Sequence, residues 1–467
     1  MKRILLSLLV LLPLAGFGKP AYKITLQVDG CTDSNMLMCY YFAQNMHIAD
    51  SARLDRKGRF VFEGDQELKP GLYFFTNRRD HYAEFVVYHE KPFFQFRTDN
   101  RNWATNMTVK GSRQNEIFYN FQRASDVLYR ELEEAKPTMD SAAYAQFTRQ
   151  QLLKVDTLRM KFISQYPDAM ICKMMMASKD VDLPEKGPDG NDMSRHEKFD
   201  WILQHYFDHM PLDDNFIIRT PKAIFYQRVM DYIDKYTRGL QPSDLIPLID
   251  TLIDRSEPAA DVYQWLVNTL TEHYLQSTVM VYDEVYVHLV KRYFATGKAS
   301  WLQPSTIDMN VERANKWERL LVGHEAPELV LFDTLHYAHS LHRMRGRYTL
   351  LLFWSPTCGH CREVIPAIYK AFDEVADSLD ITAFAIFTEP EEETTKKWKK
   401  FLADHHMTNP RWVNLNGIEA NVDWREVYDI SSTPQIFLID NKDHTFIAKK
   451  LNANLFQEIC KSLKTHE

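Results

Sequence analysis

Glycine is scarce, at 15 of 467 residues. That argues against an architecture made only of strands and turns, because turns draw on the positive backbone angles that glycine adopts most readily. Positive charge is not in excess either: 56 Lys and Arg face 63 Asp and Glu, a formal net charge of −7. Nucleic acid and anionic membrane surfaces are poor partners for that balance. Beyond residue 17 no apolar run approaches the roughly 20 residues needed to cross a bilayer. Cysteine is sparse, and among the six only Cys358 and Cys361 form a close pair. One pair marks a site rather than a disulfide framework. Structural zinc needs four ligands, and no second pair exists to supply them. No fixed repeat length emerges, so a helical solenoid has no support.

What is present begins with an export signal. Met1-Lys2-Arg3 is a short basic start, an apolar run follows from Ile4 to Phe17, and Gly16 and Gly18 precede Lys19. This pattern predicts a secretory signal peptide over residues 1–18. Its removal takes the net charge from −7 to −9, because Lys2 and Arg3 leave with it. No cysteine directly follows the run, which argues against a lipid anchor. The mature protein is therefore expected in the periplasm, free of membrane spans, where disulfides persist. Cys31 and Cys39 there either bridge a hairpin or serve as two small buried residues, and both readings stay open. Cys172 and Cys460 read as core thiols. Met174-Met175-Met176, beside Cys172, reads as helix core rather than as a soft-metal site for Cu(I).

Three segments follow, so the fold expected is multidomain. Residues 19–111 carry short alternating stretches such as Tyr22, Ile24, Leu26 and Val28, with turns at Asp55-Arg56-Lys57-Gly58 and Pro70-Gly71. They predict a small β-sandwich. Residues 112–320 change to a helical period, traced by Ile117, Phe118, Phe121 and Leu132 and again by Val262, Trp265, Leu266 and Leu270. An all-α middle domain is expected there. Residues 321–467 alternate strand and helix signals and end in a hairpin around Asn441-Lys442-Asp443 and a helix with Leu455, Ile459 and Leu463. Parallel strands with crossover helices are the pattern of an α/β thioredoxin-like domain.

Within that last segment, Phe353-Trp354-Ser355-Pro356-Thr357-Cys358-Gly359-His360-Cys361 places two cysteines three apart between a buried strand and a helix start. The helix dipole stabilises a thiolate on the first of them. Cys358 is thus the candidate nucleophile and Cys361 the resolving thiol of a dithiol–disulfide exchange site. His360 lies between them, where an imidazolium would stabilise the Cys358 thiolate further. Ser432-Thr433-Pro434-Gln435 supplies a candidate cis-proline before a strand, with Thr433 offering backbone groups to a client segment.

On Ala326-Pro327, Phe353-Trp354, Cys358-Gly359-His360-Cys361, Pro366 and Thr433-Pro434, residues 321–467 resemble the TlpA/ResA-type thiol-disulfide oxidoreductases, relatives of the AhpC/TSA proteins. The preceding segments resemble the N-terminal β-domain and middle helical domain that such proteins carry in Bacteroidota. The resemblance implies an enzyme that reduces, oxidises or isomerises disulfides in exported proteins. Gly359, His360, Trp354, Thr433 and Pro434 would tune the site and position the client. No bound cofactor is implied, the redox group being the Cys358–Cys361 disulfide. Exported protein thiols and a redox partner protein are the partners implied. Family members often place a glutamate three residues after the second cysteine. Here that position is Val364, and Glu363, about 100° away around the helix, is the candidate proton acceptor. The alternative from a different class is an envelope binding or scaffold module, with residues 19–320 capturing clients and the redox domain accessory. A peroxidase is set aside, since peroxide reduction needs a differently placed cysteine and an arginine partner.

Overall fold

The structure, a computed structural model, describes residues 19–78, 82–333 and 335–465. The signal peptide expected over residues 1–18 lies outside them. The chain divides into two compact units. One comprises the chain up to Gly239 together with Thr251–Tyr263, the other Leu240–Asp250 together with Gln264–Glu467.

The first unit opens with eight strands, β1 (Tyr22–Asp29), β2 (Asn35–Phe42), β3 (Asn45–Arg53), β4 (Arg59–Gly64), β5 (Gly71–Thr76), β6 (Tyr82–Val87), β7 (Gln95–Asp99) and β8 (Thr108–Lys110). They form two four-stranded sheets, ordered β4-β1-β7-β8 and β3-β2-β5-β6. Alternation decides which face is buried: Tyr22, Ile24, Leu26 and Val28 on β1 all point inward. Between the sheets, Phe62 of β4 and Phe96 of β7 meet Phe75 of β5, each with ring centroids 5.5 Å apart, and Phe75 stacks on Phe85 of β6 at 4.5 Å. The expected β-sandwich is present. Cys39 is buried on β2 and Cys31 half-buried after β1, both as free thiols, so the hairpin bridge is not made. Cys31 instead lies 3.7 Å from the Asp33 carboxylate.

Helices Arg113–Ala135 and Ser141–Gln165 follow, each started by a side-chain cap. Ser112 accepts from the Asn115 N–H, and Asp140 from those of Ala142 and Ala143. Buried Asn115 reaches back to β6, accepting from the Val86 N–H at 2.6 Å and donating to the Val86 carbonyl at 2.7 Å. Cys172 is buried on helix Met170–Ala177, with Met174 beside it.

The second unit holds helices Asp283–Leu289 and Pro304–Arg319 and then seven strands: β9 (Val330–Asp333), β10 (Ala338–Ser340), β11 (Tyr348–Trp354), β12 (Ile381–Phe387), β13 (Trp412–Ala420), β14 (Gln435–Asp440) and β15 (Thr445–Lys449). They make one sheet in the order β10-β9-β13-β12-β11-β14-β15. β11 and β12 pair in parallel, as do β12 and β13, while β14 and β15 add antiparallel. Every residue of β11 and of β12 is buried. That accounts for their unbroken apolar runs, since a central parallel strand is covered on both faces. Leu350, Leu352 and Trp354 face one core with helices Gly359–Asp373, Glu392–Asp404 and Ala453–Thr465, and Leu351 and Phe353 face the other. Cys460 is buried in the first of these cores. This is a thioredoxin-like fold within a multidomain chain. Among the described residues, no helix is long and apolar enough to cross a membrane.

Candidate active site

Strand β11 ends at Trp354, and the chain turns through Ser355-Pro356-Thr357 into helix Gly359–Asp373. Cys358 is the residue that caps this helix. Its extended backbone (φ −72°, ψ 121°) lets its sulfur take the place a serine or aspartate oxygen usually holds, accepting from the Cys361 N–H at 3.4 Å. The Cys358 thiol also donates to the Thr433 carbonyl at 3.3 Å. The Thr433–Pro434 peptide bond is cis. Two segments 75 residues apart in sequence therefore converge on one sulfur.

The two thiols are electrostatically unequal. Burial works against ionisation of Cys358, but hydrogen bonds from the Cys361 and His360 backbone and from the Thr433 side chain outweigh it and hold that thiol below its ordinary value. Cys361, fully buried one turn into the helix, is pushed up to about 11 by burial. In reduced protein, carboxamidomethylation of Cys358 should thus have its midpoint below the ordinary thiol value of about 8.5. Cys361 should stay unmodified until the solution is far more alkaline. Mass spectrometry of pH-stepped alkylations reads this directly, and equal rates at the two cysteines would contradict the asymmetry.

The remaining candidates fall in different places. Trp354 is fully buried beneath the site, its ring 5.2 Å from Phe401, with no hydrogen-bond partner on its indole N–H among the described residues. Gly359 opens the helix, exposed, and His360 follows it with its side chain in solvent. The contribution of His360 to the Cys358 thiolate comes from its backbone. Glu363 is exposed on the same helix, while Cys361 faces the core.

One acidic residue at the site, Glu389, is not among those expected from the sequence. Trp354 and Phe387 are paired in register on parallel strands, so the residues just after each lie side by side at the carboxyl ends of β11 and β12. Ser355 donates to the Glu389 carboxylate at 2.6 Å, and the Thr357 hydroxyl donates to the same oxygen. These two hydroxyls hold Glu389 below the usual carboxylate range. The end-of-strand position was the available signal. Nothing in the local sequence Phe387-Thr388-Glu389-Pro390 announces it.

Comparison with known proteins agrees with this geometry. Residues 322–444 match the AhpC/TSA family. The C-terminal domain, thioredoxin-like in fold, is thus similar in sequence to those proteins. Residues 22–118 and 189–316 match two families described as domains of unknown function, DUF4369 and DUF5106. The chain is 31% identical over 120 residues to the thioredoxin-like protein YneN of Bacillus subtilis, a match covering 26% of this chain and 66% of that relative, just short of two thirds of its length. A thioredoxin-like protein from Bacteroides caccae aligns over 62% of this chain and 99% of its own, at 18% identity and a TM-score of 0.48. A domain of a possible thiol-disulfide isomerase from Cytophaga hutchinsonii aligns over 31% of this chain and 97% of its own, at 30% identity and a TM-score of 0.28.

Proposed function

We propose that this protein is a periplasmic thiol-disulfide oxidoreductase acting on disulfides and thiols of exported proteins through Cys358 and Cys361. The observation that carries this reading is the Cys358 sulfur itself. It caps a helix, touches the Thr433 carbonyl, and has a buried second thiol one turn away. In the reductive direction the Cys358 thiolate attacks a client disulfide. The client S–S bond breaks, a mixed disulfide forms, and one client thiolate leaves. Cys361 then attacks the Cys358 sulfur, its proton passing to the second departing client sulfur. The client gains two electrons and the protein is left with a Cys358–Cys361 disulfide. Run backwards, the same steps oxidise a client. The redox group is the chain's own dithiol, and a partner protein of the same thiol chemistry resets it.

Equilibration of purified protein with graded glutathione buffers tests the reading. A single two-electron transition confined to Cys358 and Cys361 is expected. A potential near that of thioredoxin, about −270 mV, would make it a reductant; one towards about −120 mV, a disulfide donor. If these cysteines form no disulfide in any buffer, the enzymatic reading fails.

A second reading, client capture by residues 19–320, is favoured by a cavity of about 640 Å³ in the first unit. Met160, Met174, Met175, Met176, Ile163 and Phe121 are among its lining residues. Flexible methionine side chains suit re-packing against varied apolar segments. This reading expects full-length protein lacking both site cysteines to bind clients undiminished.

A further inference from the structure

We infer that Glu389 is a positioning residue that sets the redox poise of the Cys358–Cys361 couple, an inference that rests on the thiol-disulfide reading above. The turn leading into the helix is held from one side by a single carboxylate. Ser355, itself fully buried, donates to Glu389 at 2.6 Å, and the Thr357 hydroxyl shares the same carboxylate oxygen. The two hydroxyls lie 2.8 Å apart, and the Thr357 N–H donates to Ser355 Oγ at 3.2 Å. Ser355 in turn holds the cysteines, its carbonyl accepting from the Cys358 N–H at 3.3 Å and its backbone hydrogen-bonding the Cys361 sulfur. A shift of Ser355 therefore moves the Cys358 backbone and a contact to the Cys361 sulfur together.

Charge adds to geometry. Glu389 hangs on the hydroxyl of Thr357, the residue just before Cys358. The cation beside it is Arg425, whose guanidinium donates to the Thr388 carbonyl. A fixed negative charge so near opposes a second one on Cys358, and so restrains stabilisation of the reduced, thiolate form. Removing it should leave the reduced form more stable and the couple more oxidising.

Two full-length variants separate charge from scaffold. Glu389→Gln keeps an oxygen that accepts from Ser355 and loses the charge; Glu389→Ala loses both. The side chain is exposed, so neither replacement threatens the core. For Glu389→Gln we expect the equilibrium constant against glutathione to move at least threefold to the oxidising side, about 14 mV at 29.6 mV per tenfold. The pH midpoint for alkylation of Cys358 should fall with it. Glu389→Ala should also depart from wild type in potential. Wild-type potentials and wild-type pH profiles in both variants would overturn the inference while leaving the thiol-disulfide reading intact. A shift of Glu389→Gln to the reducing side would overturn it equally. Failure of the wild type to form the Cys358–Cys361 disulfide would overturn both.

Discussion

Replacing Cys361 by alanine is expected to turn a turnover catalyst into a trap: covalent protein–client adducts should accumulate that dithiothreitol releases. Attack on a client disulfide needs only Cys358, whose sulfur keeps its Thr433 contact and its helix-capping position in that variant. Resolution needs Cys361, so the mixed disulfide persists. Cys358→Ala should instead lose turnover by a factor of roughly 10³ or more. The thiol it leaves is fully buried, with burial pushing its pKa up to about 11. Burial, the largest cause of that rise, survives the loss of Cys358, so at pH 7 the remaining thiol is ionised far less than the few per cent of an ordinary one. Loss of access compounds loss of thiolate. Non-reducing electrophoresis with a disulfide-bearing client reads both variants at once. A Cys361→Ala protein that stays monomeric with client present, or a Cys358→Ala protein that still turns over, would remove the assigned roles.

How much of this was readable beforehand depends on whether the cause is local. The cysteine pair, the helix behind it and the apolar runs of β11 and β12 were legible because each is a short-range pattern. So was Thr433-Pro434, once a thioredoxin-like order of elements was in hand. Strand β3 was not legible. Its alternation is confined to Asn-Met-His-Ile, it sits at a sheet edge with Met46 and Ile48 largely exposed, and it is held by pairing to β2, by the Tyr22 hydroxyl on Asp50 and by His47 stacked on Tyr40. Glu389 escaped notice for a related reason. Glu363 is the acid next to the position, Val364, where related proteins carry a glutamate, but a helix turns neighbours to different faces, and Glu363 faces solvent. Strand register, a long-range fact, brings Glu389 to the turn instead. The middle helices show the same limit. Their periodicity gives no hint that those from Gln264 onward belong to the compact unit of the thioredoxin-like sheet.

Within that unit a buried ion pair joins the helices to the sheet, and breaking it should produce the largest loss of stability of any single charge change. Asp283 begins helix Asp283–Leu289, where the helix dipole favours a carboxylate. Its side chain is 1% exposed, and Lys449 of β15, 7% exposed, approaches it to 2.6 Å. Lys450 binds its other oxygen at 2.6 Å, and Lys449 also donates to the Leu320 carbonyl at 3.0 Å. Trp317 lies beneath both ammonium groups, 5.9 and 5.5 Å from its ring centroid, and donates its own N–H to Asp429 at 2.7 Å. Asp283→Ala strands the Lys449 ammonium in this setting, and losing one partner of a buried pair costs about 3–5 kcal/mol. The loss should depend on pH. Burial already holds the Lys449 pKa below its ordinary value, with Asp283 opposing the shift, so the variant's folded state binds the lysine proton more weakly still. The unfolded chain then carries more protons than the folded one, and stability rises with pH until the unfolded lysine value of about 10.4 is passed. Denaturant melts should therefore show a deficit at pH 7 that shrinks by pH 10. Pairing Asp283→Leu with Lys449→Met should recover much of it, because well-packed apolar residues replace a buried pair at little cost. A deficit below about 1 kcal/mol at pH 7, or one that does not change with pH, would show that the junction rests on packing around Trp317 rather than on the charges.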